Sequence, residues 1–168
     1  VFYPVTRTGR FMEPKSYLDG EAKRQAKPHI DAASRAILRC RDLDELRALL
    51  VSCALKILGI AGGEGTADDI RAVFAGEDLT GDAVAELRAS LNASRGERPW
   101  TPVLATQVAF RETYDALIER ASFGGRETLG GRDFDGFTRT MERVAFGPPP
   151  ESAELLLQMI VAGRVRTD

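Results

Sequence analysis

The sequence predicts an all-α fold of about seven helices in stacked antiparallel hairpins, repeat-like in arrangement and preceded by an extended N-terminal arm. Three observations carry this. Apolar residues recur at spacings of three and four along most of the chain. No segment of five or more residues alternates apolar with polar, and glycine or proline clusters punctuate the helical stretches at short intervals. The expected division is an arm over residues 1–20 and a single helical domain over residues 21–168.

The arm, VFYPVTRTGRFMEPKSYLDG, holds Pro4, Gly9, Pro14 and Gly20 and has no helical period. It is too rich in apolar residues for a tail that touches nothing, so Phe2, Tyr3, Phe11, Met12 and Tyr17, with the bases Arg7 and Arg10, are the expected partner-binding residues. A first helix is predicted from Pro28, suited to a first turn, to about Arg41, with Ile30, Ala33, Ile37 and Cys40 on one face. Asp42 and Glu45 supply a capping signal for a second helix. Its stripe of Leu43, Leu46, Leu49, Leu50, Cys53 and Ile57 is widened by Val51, Ala54, Leu55 and Leu58 until the helix is apolar nearly all round, so it should be the most buried.

The run GIAGGEG over 59–65 ends that helix, and Thr66 caps a short third one bearing Ile70, Val73 and Phe74 before Gly76. Thr80 and Asp82 open a fourth, lined by Val84, Leu87 and Leu91. Thr101 followed by Pro102 opens a fifth, which carries Val103, Phe110, Tyr114, Leu117, Ile118 and Ala121, with room for a kink midway. Asp133 is expected to cap a sixth helix lined by Phe134, Phe137, Met141 and Val144, which Gly147 and three prolines stop. Glu151 to Gly163 forms the seventh, with Leu155, Leu156, Met159 and Ile160 facing inward.

Composition narrows the function. The 168 residues are 43% hydrophobic and 29% charged, enough to bury a core, and the longest apolar candidate, Leu49 to Ile60, is interrupted by Ser52, Lys56 and Gly59, so no membrane span is expected. A formal charge of −2 is not the footprint of a protein held to nucleic acid by phosphate neutralisation. The charge is unevenly spread: residues 1–40 carry eight bases and four acids, so a basic arm precedes an acidic body, a distribution suited to docking on an acidic protein surface.

No catalytic, cofactor or metal set is expected. His29 is the single histidine and lies at a predicted helix start without a nucleophile on a strained elbow. Cys40 and Cys53, thirteen residues apart, form neither a CxxC pair nor a disulfide framework and read as buried small hydrophobes. Asp78, Thr80 and Asp82 imitate the opening of a calcium loop, but Ala83 stands where its glycine belongs and Ala89 where its glutamate belongs. Counted from Asp133, the twelfth position is Val144. Gly62, Gly63 and Gly65 lack the Lys-Ser or Lys-Thr of a phosphate-binding loop, and Gly124, Gly125, Gly130 and Gly131 read as a turn. The enzyme class is therefore not expected, and neither is a small-molecule ligand.

The C-terminal stretch SAELLLQMIVAGRVRTD resembles the second helix of a pentatricopeptide repeat, through Ser152, Leu155 with Leu156, Met159, Gly163 and Asp168. The segment ETYDALIERAS over 112–122 is similar to the opening helix of the same repeat, through Tyr114, Leu117 and Ile118, in a different frame. The resemblance covers about the last third of the chain. It implies a fold of stacked helical hairpins. The residues that read an RNA base in that family would be Gly136 or Ala116, according to frame, and Asp168; neither Gly136 nor Ala116 can hydrogen-bond a base.

Small pentatricopeptide-type subunits sit outside the mitochondrial F1-ATPase in some protists, and the chain is similar to that type in size and helical make-up. The resemblance implies a mitochondrial, non-catalytic structural subunit of a larger protein complex, bound to the F1 catalytic head of ATP synthase through its arm and helical surface. The rival expectation is an organellar RNA-binding protein of RNA processing or the mitoribosome.

Overall fold

The computed structural model describes residues 11–77, 82–96 and 99–166. Among these residues the chain forms nine helices packed against one another and no strand element, an all-α fold. The helices are α1 Gly20–Ile37, α2 Leu43–Ile60, α3 Ala67–Ala75, α4 Ala83–Ser94, α5 Pro102–Glu112, α6 Tyr114–Ala121, α7 Gly125–Thr128, α8 Arg132–Ala145 and α9 Pro150–Val161.

The first helix starts eight residues before its predicted start. Asp19 caps it, accepting a hydrogen bond from the Ala22 N–H at 2.8 Å, and Pro28 lies inside it. A proline removes one backbone donor from a helix interior. Here the periodic face of Ala26, Ile30, Ala33 and Ile37 is buried, and the side-chain pairs Glu21 with Arg24 and Lys27 with Asp31 flank the interruption. The helix ends at Ile37, so Cys40 and Arg41 belong to the connection.

The capping signals at Asp42 and Thr66 both act as read. Asp42 accepts from the Glu45 N–H at 2.8 Å, and Glu45 reaches back to the Arg41 N–H at 2.8 Å. Thr66 and Asp69 form a reciprocal capping box, and Gly76 closes α3 in the left-handed region. Gly63 fits the turn between them for another reason: a Cβ there would lie 2.4 Å from the Trp100 carbonyl oxygen. Asp82 caps α4; Thr80, Asp78 and the residues between lie outside the described residues.

The predicted fifth helix is two helices. Thr113 separates α5 from α6, its hydroxyl donating to the Ala109 carbonyl at 2.8 Å, the back-bonding that bends helices. The glycine-rich stretch holds the one-turn α7, which together with this break accounts for nine helices instead of seven. Asp133 is not a cap: Gly131 takes the cap position, and Asp133 lies in the first turn of α8. Pro150 does not stop a helix but opens one, at the first turn of α9.

Helix α5 lies at the centre. Every residue from Leu104 to Phe110 is buried, and α5 packs most extensively on α2 and then on α8 and α3. Helix α2 is also heavily buried, with eight core residues from Leu43 to Leu58. An aromatic cluster fixes the α5–α8 contact, with Phe110 6.1 Å from Phe137 and 6.2 Å from Phe146, and Tyr114 4.8 Å from Phe146. Sequence neighbours α1 and α2 pack closely, but α9 finds its main partner in α4, far away in the chain. Those two helices build a smaller second core of Leu87, Leu91, Ala153 and Leu157. No helix of the described residues is long and apolar enough to cross a membrane.

Candidate docking surface

Of the predicted partner-binding residues, Phe2, Tyr3, Arg7 and Arg10 lie outside the described residues. Phe11, Met12 and Tyr17 lie within them, on a segment that this chain itself holds tightly. Phe11 packs against the second core. Beyond it, the Glu13 N–H donates to the Arg143 carbonyl at 3.1 Å and the Lys15 N–H to the Pro148 carbonyl at 2.9 Å. Glu13 and Arg143 form a largely buried ion pair at 3.1 Å. The segment presses so closely on the turn before α9 that a Cβ at Gly147 would lie 1.9 Å from the Glu13 carbonyl oxygen.

The hub of this attachment is Gln107, fully buried on α5. Its Oε1 accepts from both the N–H and the hydroxyl of Ser16 at 2.6 Å. Its Nε2 donates to the Pro14 carbonyl at 2.9 Å and the Val144 carbonyl at 2.8 Å. One amide therefore joins the arm, α5 and α8, and each of its hydrogen bonds replaces one that water would otherwise make. Sequence reading passed over Gln107, although a glutamine inside the apolar run from Val103 to Phe110 is the kind of buried polar residue that demands partners.

Outward from this clamp the surface changes character. Met12 and Tyr17 are 41% and 64% exposed. The Arg111 guanidinium stacks over the Tyr17 ring, 5.0 Å from its centroid, while Arg111 also donates to the Ser16 carbonyl at 2.8 Å. Tyr17 and Arg111 line a cleft of about 370 Å³ with Leu18, Lys23, Lys27 and the acids Asp31 and Glu112, the last of which lies 3.8 Å from Arg111. The two lysines are exposed, although Lys27 pairs with Asp31. The result is an aromatic surface on which three bases outnumber two acids, beside a segment held down by buried hydrogen bonds.

A second, more polar cleft of about 470 Å³ opens between the starts of α2 and α8, lined by Asp44, Arg47, Arg132, Asp133 and Gly136 over a floor that includes Phe74 and Phe137. Arg47 lies 5.4 Å from the Phe137 centroid and 3.6 Å from Asp44. Nearby, Arg126 grips Asp135 and holds its carboxyl below the usual carboxylate range, as Thr66 does for Asp69. These are ionised partners in caps and ion pairs.

His29 is exposed in the middle of α1, away from a helix start. Both thiols are buried and free. Burial pushes the Cys53 thiol up to about 11, and it also raises Cys40 against the opposing pull of Arg120. Because the folded state holds the Cys53 proton more tightly than the unfolded state, its contribution to stability is complete below pH 9 and lost as the pH climbs towards 11. Urea titrations across that range should show stability falling with pH more steeply in the native sequence than in Cys53→Ala, which lacks the titrating group.

Taken together, the folded chain is an all-α helical domain with a buried polar clamp and a basic, aromatic surface beside it. No protein-family model, no curated protein and no solved structure matches it.

Proposed function

We propose that the chain is a non-catalytic structural subunit of a larger protein assembly, an accessory subunit on the F1 catalytic head of mitochondrial ATP synthase. The observation that supports docking is the surface around Tyr17. The Tyr17 ring follows directly on the segment that Gln107 anchors from within, and the bases beside it, Lys23 and Lys27 on α1 and Arg111 on α5, stand on helices, so the free protein has already met much of the ordering cost of presenting them. Such a surface fits an acidic protein face with a recess for an aromatic side chain, since tyrosine and arginine are enriched among the few residues that dominate interface energies. The assignment to F1 rests on likeness in size and helical make-up to the small pentatricopeptide-type F1 subunits, beside the resemblance of residues 152–168 and 112–122 to pentatricopeptide helices.

Affinity purification from the native source, followed by mass spectrometry, tests the reading. Recovery with F1 subunits is the expected result, and Tyr17→Ala combined with Lys23→Glu should reduce it at least about tenfold. Recovery of the protein alone would count against an assembly subunit. The same basic, aromatic cleft is what an RNA-binding protein would use to stack a base, so filter binding across a salt series is the companion measurement. Tight binding that weakens steeply with salt would move the assignment to the RNA-binding class.

A further inference from the structure

We infer that the outer face of α9 is a self-association surface, on which a second copy of this chain packs antiparallel about a two-fold axis at Gln158. Helix α9 is rich in large apolar residues, yet it buries only Ala153 and Leu157. Leu155 and Val161 stand 58% and 69% exposed, two of the most exposed large apolar side chains among the described residues. Sequence reading placed Leu155 inward because the helix is apolar on several sides. The small second core has room for one stripe only, and Leu156 and Ile160 complete it.

The exposed pattern is a palindrome, which favours a second copy over an unrelated partner. Leu155 and Val161 lie three residues either side of Gln158, itself exposed. A two-fold axis through Gln158 brings Leu155 of each copy against Val161 of the other. The two Gln158 amides meet on the axis, and an amide carries both donor and acceptor, so it is complementary to itself. Isologous interfaces require this kind of self-complementarity.

Charge sets the direction. Glu151 lies exposed in the first turn of α9 and Arg164 exposed just past its end. Among the described residues neither has an ion pair, whereas the neighbouring Glu154 is paired with Arg95 at 2.5 Å. The backbone of Arg164 is fixed by the turn through Gly163, its N–H donating to the Met159 carbonyl at 2.9 Å. Antiparallel packing sets each Glu151 beside Arg164 of the other copy and aligns the helix dipoles favourably; parallel packing would set Glu151 against Glu151.

The inference is independent of the assignment to F1. Sedimentation equilibrium of the purified full chain, from micromolar to near-millimolar concentration, should show the mass rising from 18.3 kDa towards twice that value. Leu155→Glu and Val161→Glu should each weaken association at least about tenfold while leaving the helical circular dichroism unchanged, because both side chains already face water. Glu151→Arg should weaken it, and adding Arg164→Glu should restore it. A single species of 18.3 kDa at every concentration overturns the inference, as does a dimer indifferent to both apolar substitutions or to the charge exchange. A monomer that still copurifies with a larger assembly would overturn this inference alone.

Discussion

Replacing Gln107 with alanine should lower the unfolding free energy by about 4 kcal/mol, read as a large fall in the urea midpoint. The amide satisfies the Ser16 N–H and the Pro14 and Val144 carbonyls, all inside the protein. Its removal strands these groups where water does not reach, and each buried group left unpaired costs about 1–3 kcal/mol. The effect should extend to the arm. Residues 13–16 should lose protection from hydrogen exchange before the helices do, because Ser16 depends on Gln107 for two of its hydrogen bonds. A substitution with less than about 1 kcal/mol of effect would show that water replaces the amide and that the clamp is weaker than its burial suggests.

The second large effect is expected at Phe110, which is 1% exposed and central to the ring cluster. Phe110→Ala should cost about 3–5 kcal/mol, from the transfer of the ring and the cavity left among Tyr114, Phe137 and Phe146. The half-buried Phe146 gives the internal comparison, since Phe146→Ala removes a ring that already meets water and should cost clearly less. Paired chemical denaturation of the two variants checks the ordering. Equal losses would mean that α8 repacks around the gap at Phe110.

These two residues show what was legible in the chain and what was not. Phe110 belongs to an apolar period, and periodicity alone assigned it to a buried face. Gln107 belongs to the same helix, but its partners come from residues 14, 16 and 144, distances that no local pattern encodes. The helix ends divide in the same way. Asp42 and Thr66 act through hydrogen bonds three residues away, so their caps could be read directly. A proline reports only a local restriction on φ and on donors: Pro28 lies inside α1, where the buried face of Ala26 and Ile30 carries the helix through it, whereas Pro150 opens α9, where the missing donor costs nothing.

The arm illustrates the limit most clearly. Its lack of period was visible, as was its excess of apolar and basic residues. That Glu13 and Ser16 would be among the most buried polar residues was not, because their burial depends on Arg143 and Gln107, more than ninety positions away. The structure thus divides the arm into residues that hold it down and residues, Met12 and Tyr17, that it presents outward.

By itself, the sequence determined the all-α class, the positions of most helices and the buried face of most of them, because hydrogen bonding within a helix and the 3.6-residue period are local properties of the chain. The tertiary structure alone decided that α5 is the central helix, that α9 packs on α4, and that Leu155 and Val161 are left facing water. A helix with several apolar sides can bury any one of them. Which side it buries depends on the space its neighbours leave, and that is fixed only when distant segments meet.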